Sequence, residues 1–582
     1  MVNVKENRVD RDKILAFLLD GGLKFATVSG VWTTKKDLIR YVDEHVPAID
    51  MITTKSYQVH ANPGNREPVI GEVDVGSYVN AVGLRNPGMK EGCREIKALR
   101  EERPLRALLN ISLSGNSPEE FIRLVKKFAD LADILELNFS CPHAKPGYGA
   151  SIGVNADLVR EYMQKIRPET DALLFPKLTP NVDHIGEIAK AAVDAGADGI
   201  AAVNTVGPEA YREPVSGELL LYNPDGHKGG LSGEHIFDTA LRKLVEIREV
   251  LGPGVPLIGM GGISRGDQVR AFREAGVNVV GIGSVTARIK AGKHAEYFAS
   301  LKFDTENFTD TAAACLSVKR LANYKPYTVQ KAEHLSDSMM TLTLDGDRML
   351  FKTSQYAFVW IPGVGEKPLG IVASPPLRFM VRKREYDPET PAGDFTHAMF
   401  GVREGDTLYV RGPYGAQAPE PAVTNILIVS GGTGLALVPR LVEHLTVLGH
   451  IVRVYHGVRE EKEAAFRDLI ERYASFNVIP DRGKPGRVLD AVSEELGRID
   501  VSNCAFYTIG PDAFMEKAMD VAVEKGCRPE NCFASLETNT MCGIGICGEC
   551  ECGGVMSCKD GTFFDRDFLK RHYFHTHKEP EK

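Results

Sequence analysis

The sequence predicts an α/β protein of several domains, led by a (β/α)8 barrel, and three observations point there. The chain has 582 residues, more than one core serves, since single cores stop growing near ~250–300 residues. Its first half alternates apolar strand runs with amphipathic helical runs, the pattern of a parallel sheet. Beyond that the text turns to short alternating strands, returns to α/β, and ends in a crowd of cysteines.

Each element follows from its local pattern. Residues 133–140 (DILELNFS) form an apolar strand run, and residues 155–166 carry helical periodicity. Residues 173–178 predict a strand, and 182–196 a helix with Ile185, Ile188, Ala192 and Val193 on one face. A strand over 199–206, a helix around 241–250, a strand over 256–261, a helix over 264–276 and a strand over 278–283 complete the series. Ser264 with Asp267 approximates an N-terminal capping signal, and Gly276 supplies a left-handed exit. About 300 residues of such units suit an eight-stranded barrel, with an open doubly wound sheet as the alternative. The polar and glycine-bearing residues fall at the carboxyl ends of these strands, where such barrels place their chemistry.

The barrel is assigned to residues 1–303 and a linker to 304–325, where the pattern lapses. Residues 326–422 carry the runs MTLTL, LFKTS, YAFVWI, FMVRK and TLYVRG between Gly, Pro and Asp turns, which predicts a small antiparallel β-barrel. A second α/β domain spans 423–531, opening with the strand NILIVS. Residues 532–582 form a small cysteine-rich domain and tail.

Composition excludes several classes of function. The chain is 43% hydrophobic and 25% charged with a net charge of −8, which argues against nucleic-acid and anionic-membrane partners. No apolar run reaches the ~18 residues of a membrane span, and the first ten residues are polar, so a soluble cytoplasmic protein is expected. Of eleven cysteines, five (Cys542, Cys547, Cys550, Cys552 and Cys558) crowd one segment, which in a cytosolic chain suggests metal.

Cys542-x4-Cys547-x2-Cys550 has the spacing of plant-type [2Fe–2S] ligands, and the glycines between them let backbone curl around a cluster. Cys558 is the expected fourth ligand and Cys552 its rival; a structural zinc site, the competing reading, usually shows two C-x2-C pairs. Gly431-Gly432-Thr433-Gly434 makes a strand-to-helix turn where backbone can approach a pyrophosphate, although such a turn can also be a plain connection. In the barrel, Asn138 and Cys141, Lys177, and Asn204 with Thr205 fall at three strand ends. A thiol base, two amides able to grip a cyclic imide, and a lysine facing an anionic flavin suit proton abstraction beside that cofactor. Singly, such a Cys is more often packing and such an Asn a turn closer; together they carry chemistry. His572, His575 and His577 read better as a solvated tail than as metal ligands, and Arg459 with Glu460 as a dinucleotide contact or a solvated loop.

The order β-barrel, glycine turn, late strand YTIGPD and cysteine cluster resembles the ferredoxin-reductase superfamily, in which the barrel binds FAD and the α/β domain binds NAD. Residues 25–290 resemble dihydroorotate dehydrogenase of the NAD-linked class, and 325–565 its electron-transfer subunit, here joined in one chain. The resemblance implies FMN, FAD, a [2Fe–2S] cluster and NAD, a role in pyrimidine biosynthesis, and a homodimer through the barrel. It implies Cys141 as the base that takes the C5 proton, while hydride passes from C6 to FMN, with Lys177 beside the flavin. Electrons then pass singly through the cluster to FAD and leave as hydride to NAD. Asn80 of NAVGLRNPG, Asn138, His143, Asn204 and Thr205 match ring-binding positions, and Lys55 with the backbone of Val82, Gly83 and Leu84 matches the carboxylate grip. Ser29, Gly30, Asn110, Gly233, Gly261, Gly262, Gly283 and Ser284 match FMN contacts.

Two departures stand out. His143 occupies a position where dihydroorotate dehydrogenases usually carry Asn, and SCPH resembles dihydropyrimidine dehydrogenase, so a dihydrouracil- or dihydrothymine-type substrate is the nearest alternative to dihydroorotate. The flavin-facing Arg-Pro-x-Ser of the superfamily is here Lys367-Pro368-Leu369-Gly370, without guanidinium or hydroxyl, which leaves FAD to backbone and to neighbours such as Tyr356. From another class, the chain could be an electron-transfer module for a separate partner; an intact Cys141, Lys177 and Asn138 argue against an idle barrel.

Overall fold

The computed structural model describes residues 10–140, 150–223, 226–385, 392–481 and 487–574. Two compact units divide the chain: Met1–Leu321 with Ile544–Glu549, and Ala322–Gly543 with Cys550–Lys582.

The first unit holds a closed barrel of eight parallel strands. They are β1 (Phe25–Thr27), β2 (Ile49–Thr53), β3 (Leu108–Leu113), β4 (Ile134–Asn138), β5 (Leu174–Leu178), β6 (Ile200–Ala202), β7 (Leu257–Met260) and β8 (Val279–Ile282). Neighbours follow chain order, and β8 closes on β1 with Phe25 opposite Val280 and Thr27 opposite Ile282. Strands alternate their side chains with a period of two, so the inward residues of each strand form a ladder up the barrel. At the lower rungs Met51, Ile134, Phe175, Ala201 and Ile258 pack with Ile14 and Leu18 of the helix Arg11–Leu19. Two residues further along their strands come Thr53, Glu136 and Lys177, all buried. The interior therefore passes from apolar to polar toward the carboxyl ends.

The helices lie close to the expected spans: Ala156–Ile166, Ile185–Asp194, Phe237–Leu251 and Gly266–Glu274. Asn155 caps the first of these, its side chain accepting from Asp157 N and Leu158 N. At Gly266–Glu274 the cap differs from the Ser264–Asp267 expectation. Gln268 reaches back instead, and its Oε1 accepts from the backbone of Ser264 at 2.8 Å and Arg265 at 3.1 Å. Gly276 exits that helix at φ +82°, as its position requires. The strand expected over 199–206 is two strands. β6 ends at Ala202, and Val206–Ala210 joins Lys228–Gly233, Ser77–Asn80 and Ile70–Asp74 in a four-stranded antiparallel sheet. The helix His294–Asn307 runs into the stretch read as linker.

In the second unit, residues 325–414 form a six-stranded antiparallel sheet ordered Gly365–Gly370, Tyr356–Ile361, Thr407–Tyr414, Lys325–Ser336, Met339–Asp345, Leu377–Arg382. The run LFKTS, read as a strand, is not one: Leu350 is exposed and Ser354 sits at φ +64°, which no strand accommodates. Inside this sheet Arg411 and Glu366 pair with both side chains fully buried. Arg411 Nη2 and Nε donate to the two carboxylate oxygens at 2.6 and 3.0 Å, and Tyr324 Oη adds a third donor at 2.6 Å.

The following sheet is ordered Ser475–Pro480, Ile451–Val458, Asn425–Gly431, Cys504–Ile509, Cys532–Ser535, Phe563–Asp565. The first five strands are parallel and the last antiparallel. The order reverses beside Asn425–Gly431, which makes that strand end a topological switch point. Two strands of the cysteine-rich region, Cys532–Ser535 and Phe563–Asp565, complete this sheet. Among the described residues no helix is long and apolar enough to cross a membrane.

A fully buried ion pair that loses one partner strands the other charge, at a cost of about 3–5 kcal/mol. Arg411→Met is expected to lower the stability of the second unit by about that much, read as a shift of its denaturant midpoint. A midpoint equal to wild type would contradict the pairing.

Candidate active site

A cavity of ≈ 210 Å³ opens at the carboxyl ends of the barrel strands. Lys55 enters from beyond β2, Asn138 from the end of β4, Lys177 from β5, and Asn204 with Thr205 from beyond β6. The four-stranded sheet adds Asn80 and Gly233, and the loop after Asn80 adds Val82, Gly83 and Leu84. Ser29 and Gly30 follow β1, Gly261 and Gly262 follow β7, and Gly283 and Ser284 follow β8, all on the same wall system. Glycine is required at Gly233: it sits at φ +95°, and a Cβ there would stand 2.0 Å from Gly76 O. Asn110 does not line the cavity. It is buried within β3, its Nδ2 donating to Thr53 Oγ1 at 3.2 Å while its Oδ1 finds no partner among the described residues. Cys141 and His143 lie outside the described residues.

A chain of polar groups runs from the cavity wall into the barrel. Ser29 Oγ lies 3.1 Å from Ser56 Oγ, which lies 2.8 Å from Ser112 Oγ, and Ser112 donates to Glu136 Oε1 at 2.9 Å. Lys177 Nζ stands 3.7 Å from the same carboxylate oxygen. A buried ammonium needs such a counter-charge, and a buried carboxylate needs such donors. Two amides are fixed by one hydroxyl. Asn138 Nδ2 donates to Ser56 Oγ at 3.1 Å, Ser140 Oγ donates to Asn138 Oδ1 at 3.0 Å, and Asn204 Nδ2 donates to Ser140 Oγ at 2.9 Å. That pattern assigns which end of each amide faces which partner.

Lys55 Nζ lies 2.8 Å from Glu549 Oε1, and Arg85 Nε donates to Glu549 Oε2 at 3.0 Å. Burial acts to raise the Glu549 pKa, but Lys55, Arg85 and Lys35 outweigh it and hold the carboxyl below its ordinary value. Sequence reading missed Ser56, Ser112, Ser140, Glu136, Arg85 and Ile546. The first four sit on or beside barrel strands as polar residues in apolar runs, and strand alternation could have flagged them.

In the second unit, Gly431 ends its strand at the switch point, and Gly432, Thr433 and Gly434 open the turn Gly432–Leu437. A Cβ at Gly434 would stand 2.4 Å from Ile509 O, so glycine permits the close approach of the two strand ends that flank the crevice. Lys367, Pro368 and Gly370 lie on an edge strand, Pro368 opposite Phe358, and Gly370 packs against Leu437 of that turn. Arg459 and Glu460 are exposed.

Cys542, Cys547, Cys550 and Cys558 are all buried. Cys550 Sγ and Cys558 Sγ are 3.3 Å apart, and the thiols of Cys542 and Cys550, then burial, push Cys558 well above an ordinary thiol. Cys552 turns elsewhere, its Sγ 3.6 Å from His572 O. Gly543, Gly545 and Gly548 sit at φ +75°, +78° and +68°, a curl open to glycine. Among the described residues no group of three or more His, Cys, Asp or Glu side chains is arranged to hold a metal ion. Thiol donors of this kind suit iron–sulfur chemistry, though among the described residues they are not drawn into one cage. His575 and His577 lie outside the described residues.

Comparison with known proteins places the barrel. The dihydroorotate dehydrogenase family model matches residues 24–295. Over 234 residues the chain is 42% identical to the catalytic subunit of dihydroorotate dehydrogenase B (NAD(+)) of Methanocaldococcus jannaschii, covering 40% of this chain and 74% of that protein. It is 38% identical over 232 residues to dihydroorotate dehydrogenase A (fumarate) of Lactobacillus delbrueckii subsp. bulgaricus, covering 40% of this chain and 73% of that one. A solved chain from an NADH-dependent reduced ferredoxin–NADP oxidoreductase covers 43% of this chain and 98% of its own, at 22% identity and a TM-score of 0.36. Through its barrel the chain belongs to the dihydroorotate dehydrogenase family, a family of oxidoreductases.

Proposed function

We propose that the protein interconverts dihydroorotate and orotate on FMN in the barrel and exchanges the electrons with NAD through its second unit. The observation that carries this reading is the convergence of Lys55, Asn80, Asn138, Lys177, Asn204 and Thr205 on one cavity. The walls after β7 and β8 are glycine and serine backbone, where barrels of this kind commonly hold a phosphate, so the residues present fit a flavin mononucleotide. When bound, FMN supplies the acceptor for hydride from the ring.

The chain's own residues do the rest. Asn80, Asn138, Asn204 and Thr205 offer donors and acceptors to the imide edge of a pyrimidine and fix its plane. Lys55, with the loop Val82–Gly83–Leu84, takes the ring carboxylate. Lys177 brings positive charge beside the site where negative charge develops, held there by Glu136. Cys141, three positions after Asn138 in the sequence, is the proposed acceptor of the proton from the ring carbon.

For the exit of electrons, four cysteines (Cys542, Cys547, Cys550 and Cys558) are the proposed ligands of a [2Fe–2S] cluster. The edge strand bearing Lys367, Pro368 and Gly370 is the proposed FAD contact, and Gly431–Gly434 the proposed NAD turn. On this reading residues 326–422 serve FAD, 423–531 NAD and 532–582 the cluster. The approach of Cys550 to Cys558 supports Cys558 over Cys552 as fourth ligand.

A well-placed general base contributes roughly 10²–10⁴-fold. Cys141→Ala is therefore expected to lose that much dihydroorotate oxidation while NADH-driven dye reduction stays at wild-type rate; retention of the first activity would remove the thiol from the mechanism. Cys558→Ser should lose iron and the visible absorption of the cluster, and Cys552→Ser should keep both. The reverse pattern, measured by iron analysis, would exchange the two assignments.

A further inference from the structure

Two cations line the cavity where a ring carboxylate would dock, and both already hold a carboxylate. Lys55, itself buried, and Arg85 grip the two oxygens of Glu549 at 2.8 and 3.0 Å. Lys55, Arg85 and Ile546 line the cavity, and Glu549, of the same short segment as Ile546, bonds the two cations without being one of the lining residues.

That segment is fixed on the rim. Trp32 N donates to Ile546 O at 2.8 Å, Thr34 Oγ1 to Cys547 O at 3.1 Å, and Lys35 Nζ to Glu549 O at 3.0 Å. Gly548 fits only as glycine, since a Cβ would stand 2.0 Å from Thr34 Oγ1. The carboxylate of Glu549 is therefore a standing charge at the site.

The count of charges decides what it does. One carboxylate set against Lys55 and Arg85, with Lys35 adding positive charge from the Glu549 carbonyl, leaves the site net positive, so it still attracts an anion, but less than the cations would without Glu549. An ammonium has three donors. Among the described residues Glu549 engages one of those on Lys55, which leaves the others to meet a ligand. An uncharged ring would feel almost none of this.

Building on the reading of the cavity as a dihydropyrimidine site, we infer that Glu549 is its specificity-determining residue. Glu549 sets the preference between a ring that bears a carboxylate and one that does not. It weakens carboxylate binding through the cations it shares and leaves neutral rings unaffected. A residue between two candidate cluster cysteines thereby bears on which pyrimidine the barrel accepts.

The test is equilibrium binding of orotate and of uracil to the full-length holoprotein, by calorimetry. Glu549→Gln keeps the shape and an acceptor for Lys55 while removing the charge. It should tighten orotate on the order of tenfold and leave uracil within about twofold. Arg85→Gln should move orotate the opposite way, which keeps the inference testable if the first variant folds poorly. Orotate bound equally or more weakly by Glu549→Gln overturns the inference alone, as does equal tightening of both rings, which would mark a steric effect. Failure of wild type and variants to bind either ring overturns the reading of the cavity as well.

Discussion

Lys177 carries a charge into the interior of the barrel, and the architecture around it follows from that constraint. An ammonium so buried needs a counter-charge, and Glu136 supplies it from the neighbouring strand, where Asn138 pairs with Lys177 in register. Glu136 in turn needs donors, which brings Ser112, and through it Ser56 and Ser29, into one chain that reaches the cavity wall. The same Ser56 hydroxyl accepts from Asn138, so the floor that neutralises the lysine also aims the amide. The apolar lower rungs keep water from entering beneath. Ser112, Glu136, Asn138 and Lys177 are thus positioned by the strand ladder itself, and Ser29, Ser56 and Asn204 join them from just beyond the strand ends.

Much of the fold could be read from the sequence because parallel strands buried on both faces are apolar runs of fixed length. The strand ends at Asn138, Leu178, Met260 and Ile282 fall within about two residues of where the runs stop. The polar signals at those ends belong to the cavity, whereas Asn110, inside β3, turns sideways to Thr53, its register partner on β2. LFKTS misled because alternation without a compatible backbone is only a pattern; the left-handed Ser354 ends it. Glu136 was overlooked as the acid in the middle of DILELNFS, although an acid inside such an apolar run must have a buried partner.

The Lys55–Arg85–Glu549 cluster was beyond local reading for a different reason. Arg85 and Glu549 lie 464 positions apart, and no periodicity or spacing links them. Only the folded chain brings Glu549, between Cys547 and Cys550, to Lys55 and Arg85 of the barrel cavity. The cysteine spacing named candidate ligands but not that Glu549 beside them reaches Lys55 and Arg85. In the second unit the glycine turn gained its meaning from strand order: Gly434 approaches Ile509 where the sheet reverses direction.

The central claim is that one polypeptide joins oxidation of a pyrimidine ring to reduction of a nicotinamide. The direct measurement is product stoichiometry: purified protein is given dihydroorotate and NAD under anaerobic conditions with no other acceptor, and orotate and NADH are quantified together. The account predicts equal amounts of the two, rising in step over many turnovers. Orotate that forms only when an artificial acceptor is added, with no NADH in its absence, would contradict it.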